Sequence, residues 1–122
     1  MIPDTFTPQG LFDFVVAHLR KQGVKSRCDL ACLYRGPGGL KCAAGCVIRD
    51  DEYEGWMEGG AIEQVVSGAE TPASLRLRLG PHLHALSLLQ QVHDKYDARA
   101  WEQRLAEAAT LSGLVYTPPV SP

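Results

Sequence analysis

The sequence predicts a mainly α-helical, single small domain with one short β-hairpin at about residues 32–43. Three observations carry that expectation. Apolar residues recur at helical spacing in three separate stretches. A glycine-rich turn, Gly36-Pro37-Gly38-Gly39, is flanked by short runs with strand character, and no linker divides the 122 residues. At 45% hydrophobic and 21% charged, a chain of this length buries one core without crosslink or metal. The globular domain is expected over residues 1–115, followed by a flexible Pro-rich tail over 116–122.

The first helix is expected from Leu11 to Gln22, with Leu11, Val15 and Leu19 on one face and Phe12 and Val16 widening the stripe. Thr7 caps it with Pro8 in the first helical position. Arg20 and Lys21 sit in the last turn ahead of Gly23, where the helix dipole favours cations. A second long helix runs from about Pro81 to Tyr96 and turns Leu86, Leu89, Val92 and Tyr96 inward. The third begins after Asp97 as N-cap and presents Trp101, Leu105, Ala108 and Leu111 before Gly113. The short connection makes these two an antiparallel pair, and the three stripes are expected to meet in one core.

Between the first helix and this pair the pattern shortens. Leu33-Tyr34-Arg35 and Leu40-Lys41-Cys42 are the arms of the expected hairpin, which must pack on helices because two strands alone are marginal. Short helices are expected at about 50–57 and 61–67. Thr71-Pro72-Ala73 starts another that Gly80-Pro81 stops.

A formal net charge of −2 and a pI near 6.0 provide no field to hold a phosphate backbone, which argues against nucleic acid as a partner. No basic stretch followed by an apolar run marks a leader, and no window reaches the ~18 apolar residues of a membrane span. The expectation is a cytoplasmic protein whose cysteines stay reduced.

At the turn the chain carries Tyr34-Arg35-Gly36-Pro37-x-Gly39-x-Lys41-Cys42-Ala43-x-Gly45-Cys46-x-Ile48, then Asp50 or Asp51, Tyr53 and Glu58-Gly59, with Leu89-Gln90, His93-Asp94 and Trp101 downstream. In these residues, which span about half the chain, it resembles a group of short, uncharacterised proteins encoded by phages and prophages. The resemblance implies a small accessory protein of the bacterial cytoplasm that binds a host or phage protein. It implies no activity.

The four cysteines, Cys28, Cys32, Cys42 and Cys46, are spaced C-x3-C-x9-C-x3-C. Four thiolates can close a tetrahedral zinc site, but C-x2-C is the usual knuckle spacing, whereas C-x3-C fits one helical turn. Small buried thiols are the commoner outcome, with a disulfide the third reading. A cysteine nucleophile needs a base, and His82, His84 and His93 are candidates with Asp94 as orienting group. His82 and His93 share the face of Leu86 and Leu89, whereas His84 falls on the solvated side, so a satisfied core histidine outweighs a base.

Asp50, Asp51, Glu52, Glu54 and Glu58 are expected as a solvated acidic face, since they lack the alternating oxygens and glycine of a calcium loop. Tyr53, Trp56 and Met57 beside them have the character of a binding hot spot or of core. Arg35 is expected to pair with Glu58. The partner-binding candidates are Arg35, Gly38, Asp51, Tyr53, Trp56 and Glu58, on a non-enzymatic protein that binds another protein and needs no cofactor. The alternatives are a zinc-stabilised module on the four cysteines and a small cysteine-dependent enzyme.

Overall fold

The computed structural model describes residues 2–28 and 31–119 and is mainly helical. Helix α1 spans Pro8–Gln22, with the Thr7 hydroxyl accepting the Gly10 N–H at 3.0 Å. It ends where Gly23, at φ 71°, donates to the Leu19 carbonyl. Both ends were readable because each uses a cap that few residue types supply. Helices α2 (Ile62–Ser67) and α3 (Ala73–Leu79) are short. A 3-10 turn over Gly80–His82 leads into α4 (Leu83–Lys95), and another over Ala98–Ala100 leads into α5 (Trp101–Ser112).

Leu11, Val15, Leu19, Leu86, Leu89, Trp101 and Leu105 join one buried cluster, as the three stripes require. Leu111 does not, being 67% exposed. The buried stripe of α5 is completed by Ala108 and Ala109, which turns position 111 to the flank. Asp97 does not cap through its side chain; its backbone carbonyl takes the Ala100 N–H instead.

The expected hairpin over 32–43 is absent. Arg35 and Lys41 form one isolated antiparallel bridge around a 3-10 turn at Pro37–Gly39, with Gly36 N–H on the Leu40 carbonyl at 2.8 Å. The reason lies in what holds the would-be rungs. The N–H groups of Tyr34 and Arg35 go to the Glu58 carboxylate, and that of Lys41 goes to the Gln22 side-chain oxygen. The Lys41 carbonyl is held by His18 and Gln22. Side chains have consumed the ladder. A two-residue antiparallel pair forms upstream instead, β1 (Arg27–Cys28) with β2 (Ala31–Cys32).

The acidic run is not a helix over 50–57. The N–H groups of Glu52 and Tyr53 fold back on the Arg49 carbonyl, and a 3-10 turn follows at Gly55–Met57. Glu52 closes the first turn itself by accepting the Arg49 N–H at 2.9 Å. That contact draws its side chain inward. Glu52 is 3% exposed and faces Arg78 of α3, which is fully buried, at 2.7 Å and 3.0 Å. Arg78 also donates to the carbonyls of Pro3 and Val47, so one guanidinium ties the N-terminal segment, the loop and α3 together. Burial opposes ionisation of Glu52. The bonds from Arg78, Ser74 and Arg49 outweigh it and hold the carboxyl down at about 2.

The tail expected to fray is tied at its start. Arg20 bonds the Thr117 carbonyl and the Tyr116 hydroxyl bonds Glu102, while residues 120–122 lie outside the described residues. Among the described residues no helix is long and apolar enough to cross a membrane.

Candidate functional site

Two places bring chemistry-bearing side chains together. The first is the loop from Tyr34 to Glu58. Glu58 is its centre, because its two carboxylate oxygens accept the N–H of Tyr34 at 3.0 Å, the N–H of Arg35 at 3.1 Å and the Tyr53 hydroxyl at 2.6 Å. The expected Arg35–Glu58 pair therefore runs through the Arg35 backbone rather than its guanidinium. The guanidinium reaches Asp50 at 2.6 Å and the Ile48 carbonyl at 2.7 Å, and it lies over the Tyr53 ring at 5.1 Å. Close approach of two chain segments completes the arrangement. A Cβ on Gly45 would stand 2.1 Å from the Tyr34 carbonyl oxygen, so only glycine fits there.

Tyr53 is thus a half-buried clamp, and burial followed by its bond to Glu58 pushes its hydroxyl up to about 12. Trp56 is different. It is 44% exposed, with its indole N–H held by Glu54 at 3.0 Å and its ring edge resting on Gly68, where a Cβ would meet it at 2.9 Å. Gly38, Asp51 and Glu54 are exposed on the same stretch of chain, whereas Glu52, expected to be solvated with the other acids, is the one that turned inward.

The second place is the edge of α4. His93 is fully buried and stacks on Trp101 with ring centroids 5.7 Å apart. Its Nε2 accepts the Ser26 N–H at 2.9 Å, which places the ring proton on Nδ1, and Nδ1 donates to Asp94 at 2.6 Å. Gln90 donates to the same Asp94 oxygen at 2.8 Å while accepting the Ala44 N–H. Cys32 adds a third hydrogen bond to Asp94. Burial works against this carboxylate, but the bonds from His93, Gln90 and Cys32 prevail and hold its pKa below the usual range. The cluster borders a cleft of about 590 Å³ between this helix, Cys32–Tyr34 and the Gly59–Glu63 approach to α2.

The cysteine expectations resolve unevenly. Cys42 and Cys46 are buried at 1% and 5% exposure. The Cys42 sulfur accepts the Gly45 N–H and the Cys46 thiol donates to the Ala43 carbonyl, so both are satisfied inside their own turn. Burial pushes the Cys42 thiol up to about 12, and that of Cys46 upward too, against a role as nucleophile. Among the described residues Cys32, Cys42 and Cys46 do not come together as a metal-capable group; the Cys28 thiol, and with it the complete four-cysteine set, lies outside the described residues. The one metal-capable group found there is Cys32, His93 and Asp94, whose ligand atoms all lie within 4.8 Å of one another. His93 stands beside Cys32 rather than Cys42 or Cys46, and both its nitrogens are engaged, which leaves no lone pair to draw a proton from a thiol. His82 bonds the Phe6 carbonyl from the core, and His84 is exposed.

Sequence reasoning missed Arg78, Gln90 and Ser26. Arg78 had a signal, since it lies three residues after Leu75 on the inward face of α3. Gln90 and Ser26 had none, because their roles depend on groups far along the chain. No protein-family model, no curated protein and no solved structure matches the chain.

Proposed function

We propose that this is a non-enzymatic binding module, an accessory protein of phage or prophage type, that binds and modulates a host or phage protein through the surface around Trp56. The observation that carries this reading is the contrast within the loop: Arg35, Tyr53 and Glu58 are locked into one another, while the Trp56 ring stands 44% exposed on that fixed base. A large aromatic side chain held in place before binding loses little entropy on docking. Asp51 and Glu54 beside it, and the 90% exposed Asp50 side chain, match a partner with an apolar pocket rimmed by basic groups. The Tyr34–Ile48 block and its resemblance to phage-encoded proteins support the bacterial cytoplasm as the setting.

Affinity capture from a bacterial lysate with three forms of the full chain tests the reading. A partner retained by wild type and by Leu111→Ala, which alters an exposed apolar residue elsewhere, and lost by Trp56→Ala is the expected result. The loss corresponds to on the order of 2 kcal/mol of binding energy, with thermal stability unchanged. A partner kept by Trp56→Ala and lost by Leu111→Ala would move the surface to α5.

A further inference from the structure

We propose that Cys32, His93 and Asp94 form a binding site for one zinc ion, open to the cleft beside α4. The site is distinct from the four-cysteine set suggested by spacing and independent of the binding role of Trp56. A thiolate, an imidazole and a carboxylate make the mixed sulfur, nitrogen and oxygen donor set that zinc accepts, with a fourth position left to water. Their ligand atoms already lie within 4.8 Å of one another, against the roughly 3.3–3.8 Å separations that tetrahedral zinc–ligand bonds impose. Cys32 is half-buried and the Asp94 side chain is 36% exposed, so an ion arriving through the cleft reaches the cluster without unfolding it. Gln90 donates to the Asp94 oxygen and is itself held by the Ala44 N–H, so it fixes the carboxylate as outer partners of metal ligands do.

The protonation chemistry balances. Cys32 hydrogen-bonds Asp94 through its S–H, and His93 donates to the same carboxylate through Nδ1–H. Zinc takes the place of those two hydrogens. The thiol proton leaves to solvent. The imidazole keeps its proton but moves it from Nδ1 to Nε2, which frees the Nδ1 lone pair for the metal. Nε2–H then needs an acceptor, and the residue that faces Nε2 holds one in reserve: the hydroxyl oxygen of Ser26 is buried and has no hydrogen-bond partner, in a residue with 0% exposure. At present the Ser26 backbone N–H donates to Nε2; on metal binding the Ser26 hydroxyl replaces it as the ring's contact. The exchange pairs the Ser26 hydroxyl and gives up the Ser26 N–H contact, so one buried Ser26 group is unpaired in either state; without the hydroxyl, both Nε2–H and the Ser26 N–H would be left unpaired in the zinc-bound protein.

Titration of the reduced full chain with Co²⁺ as a spectroscopic stand-in, followed by competition with Zn²⁺, reads the site directly. The expected result is one equivalent bound with a sulfur-to-cobalt charge-transfer band, abolished in Cys32→Ser and intact in Cys46→Ser. Calorimetry of Zn²⁺ in buffers of different ionisation enthalpy should show about one proton released per ion. Ser26→Ala, which keeps the backbone N–H and removes only the waiting acceptor, should weaken Zn²⁺ about tenfold. Should His93 variants fail to fold, Cys32→Ser and Ser26→Ala still decide the matter. No band at micromolar protein, a band that survives Cys32→Ser, or one lost in Cys46→Ser would overturn the proposal.

Discussion

Between Tyr34 and Glu58 the backbone is held by buried and half-buried carboxylates, whereas from Leu83 to Ser112 it is held by apolar side chains packed in a stripe. In the helical pair the backbone N–H and carbonyl groups pair with one another inside each helix, and burial of Leu86, Leu89, Trp101 and Leu105 fixes how the helices meet. The loop has no such internal supply. Glu58 takes two of its N–H groups and Glu52 takes a third, and each acid is in turn anchored by Tyr53 or Arg78. Apolar packing tolerates repacking, but a carboxylate network fails when one member is removed. That difference suits the loop to present a single exposed ring in a fixed position.

Replacing Arg78 should produce the largest effect. Arg78→Ala leaves Glu52 buried without its cation and should cost about 3–5 kcal/mol in urea unfolding. A cost below 1 kcal/mol would mean that the loop does not depend on the pair. Leu89→Ala, the corresponding cut in the helical half, should cost roughly 2–5 kcal/mol by the same assay, since Leu89 is fully buried. The two should also differ in pH response. Glu52 has a folded-state pKa of about 2 against an ordinary 4.5, so its contribution is fully present above pH 4.5 and is lost as pH falls towards 2. Glu52→Gln should flatten the acid limb of stability against pH, whereas Leu89→Ala should shift the whole curve downward without changing its shape. The smallest effect is expected at Cys42→Ser, a hydroxyl placed in an apolar turn, at ~1–3 kcal/mol of stability.

The same contrast explains what the sequence disclosed. The helices, their caps at Thr7 and Gly23, and the inward residues from Leu11 to Leu105 were legible because they follow local rules of spacing and capping. Leu111 was misplaced only because two adjacent alanines carry the stripe around the helix. The loop was legible in residue type and not in arrangement. Arg35, Tyr53 and Glu58 do converge, yet the strand pattern around Gly36–Gly39 gave no sign that Glu58, 24 residues beyond Tyr34, would take the N–H groups of a hairpin. Likewise, nothing in an acidic run distinguishes Glu52, which is buried, from Asp51, which is exposed. The cysteine composition favoured small buried thiols, as Cys42 and Cys46 are, but spacing gave no sign that folding would bring Cys32 to a histidine and an aspartate 61 and 62 positions away.

The rigidity of the loop under Trp56 is what the account rests on most heavily, and amide hydrogen exchange at Tyr34 and Arg35 tests it without any partner. Both amides point at the Glu58 carboxylate, so they should exchange orders of magnitude more slowly than the amide of the exposed Gly38 in the neighbouring turn. In Glu58→Ala that protection should vanish while the amides of α4 remain protected. Fast exchange at Tyr34 and Arg35 in the wild-type chain, equal to that of Gly38, would contradict a carboxylate-built platform.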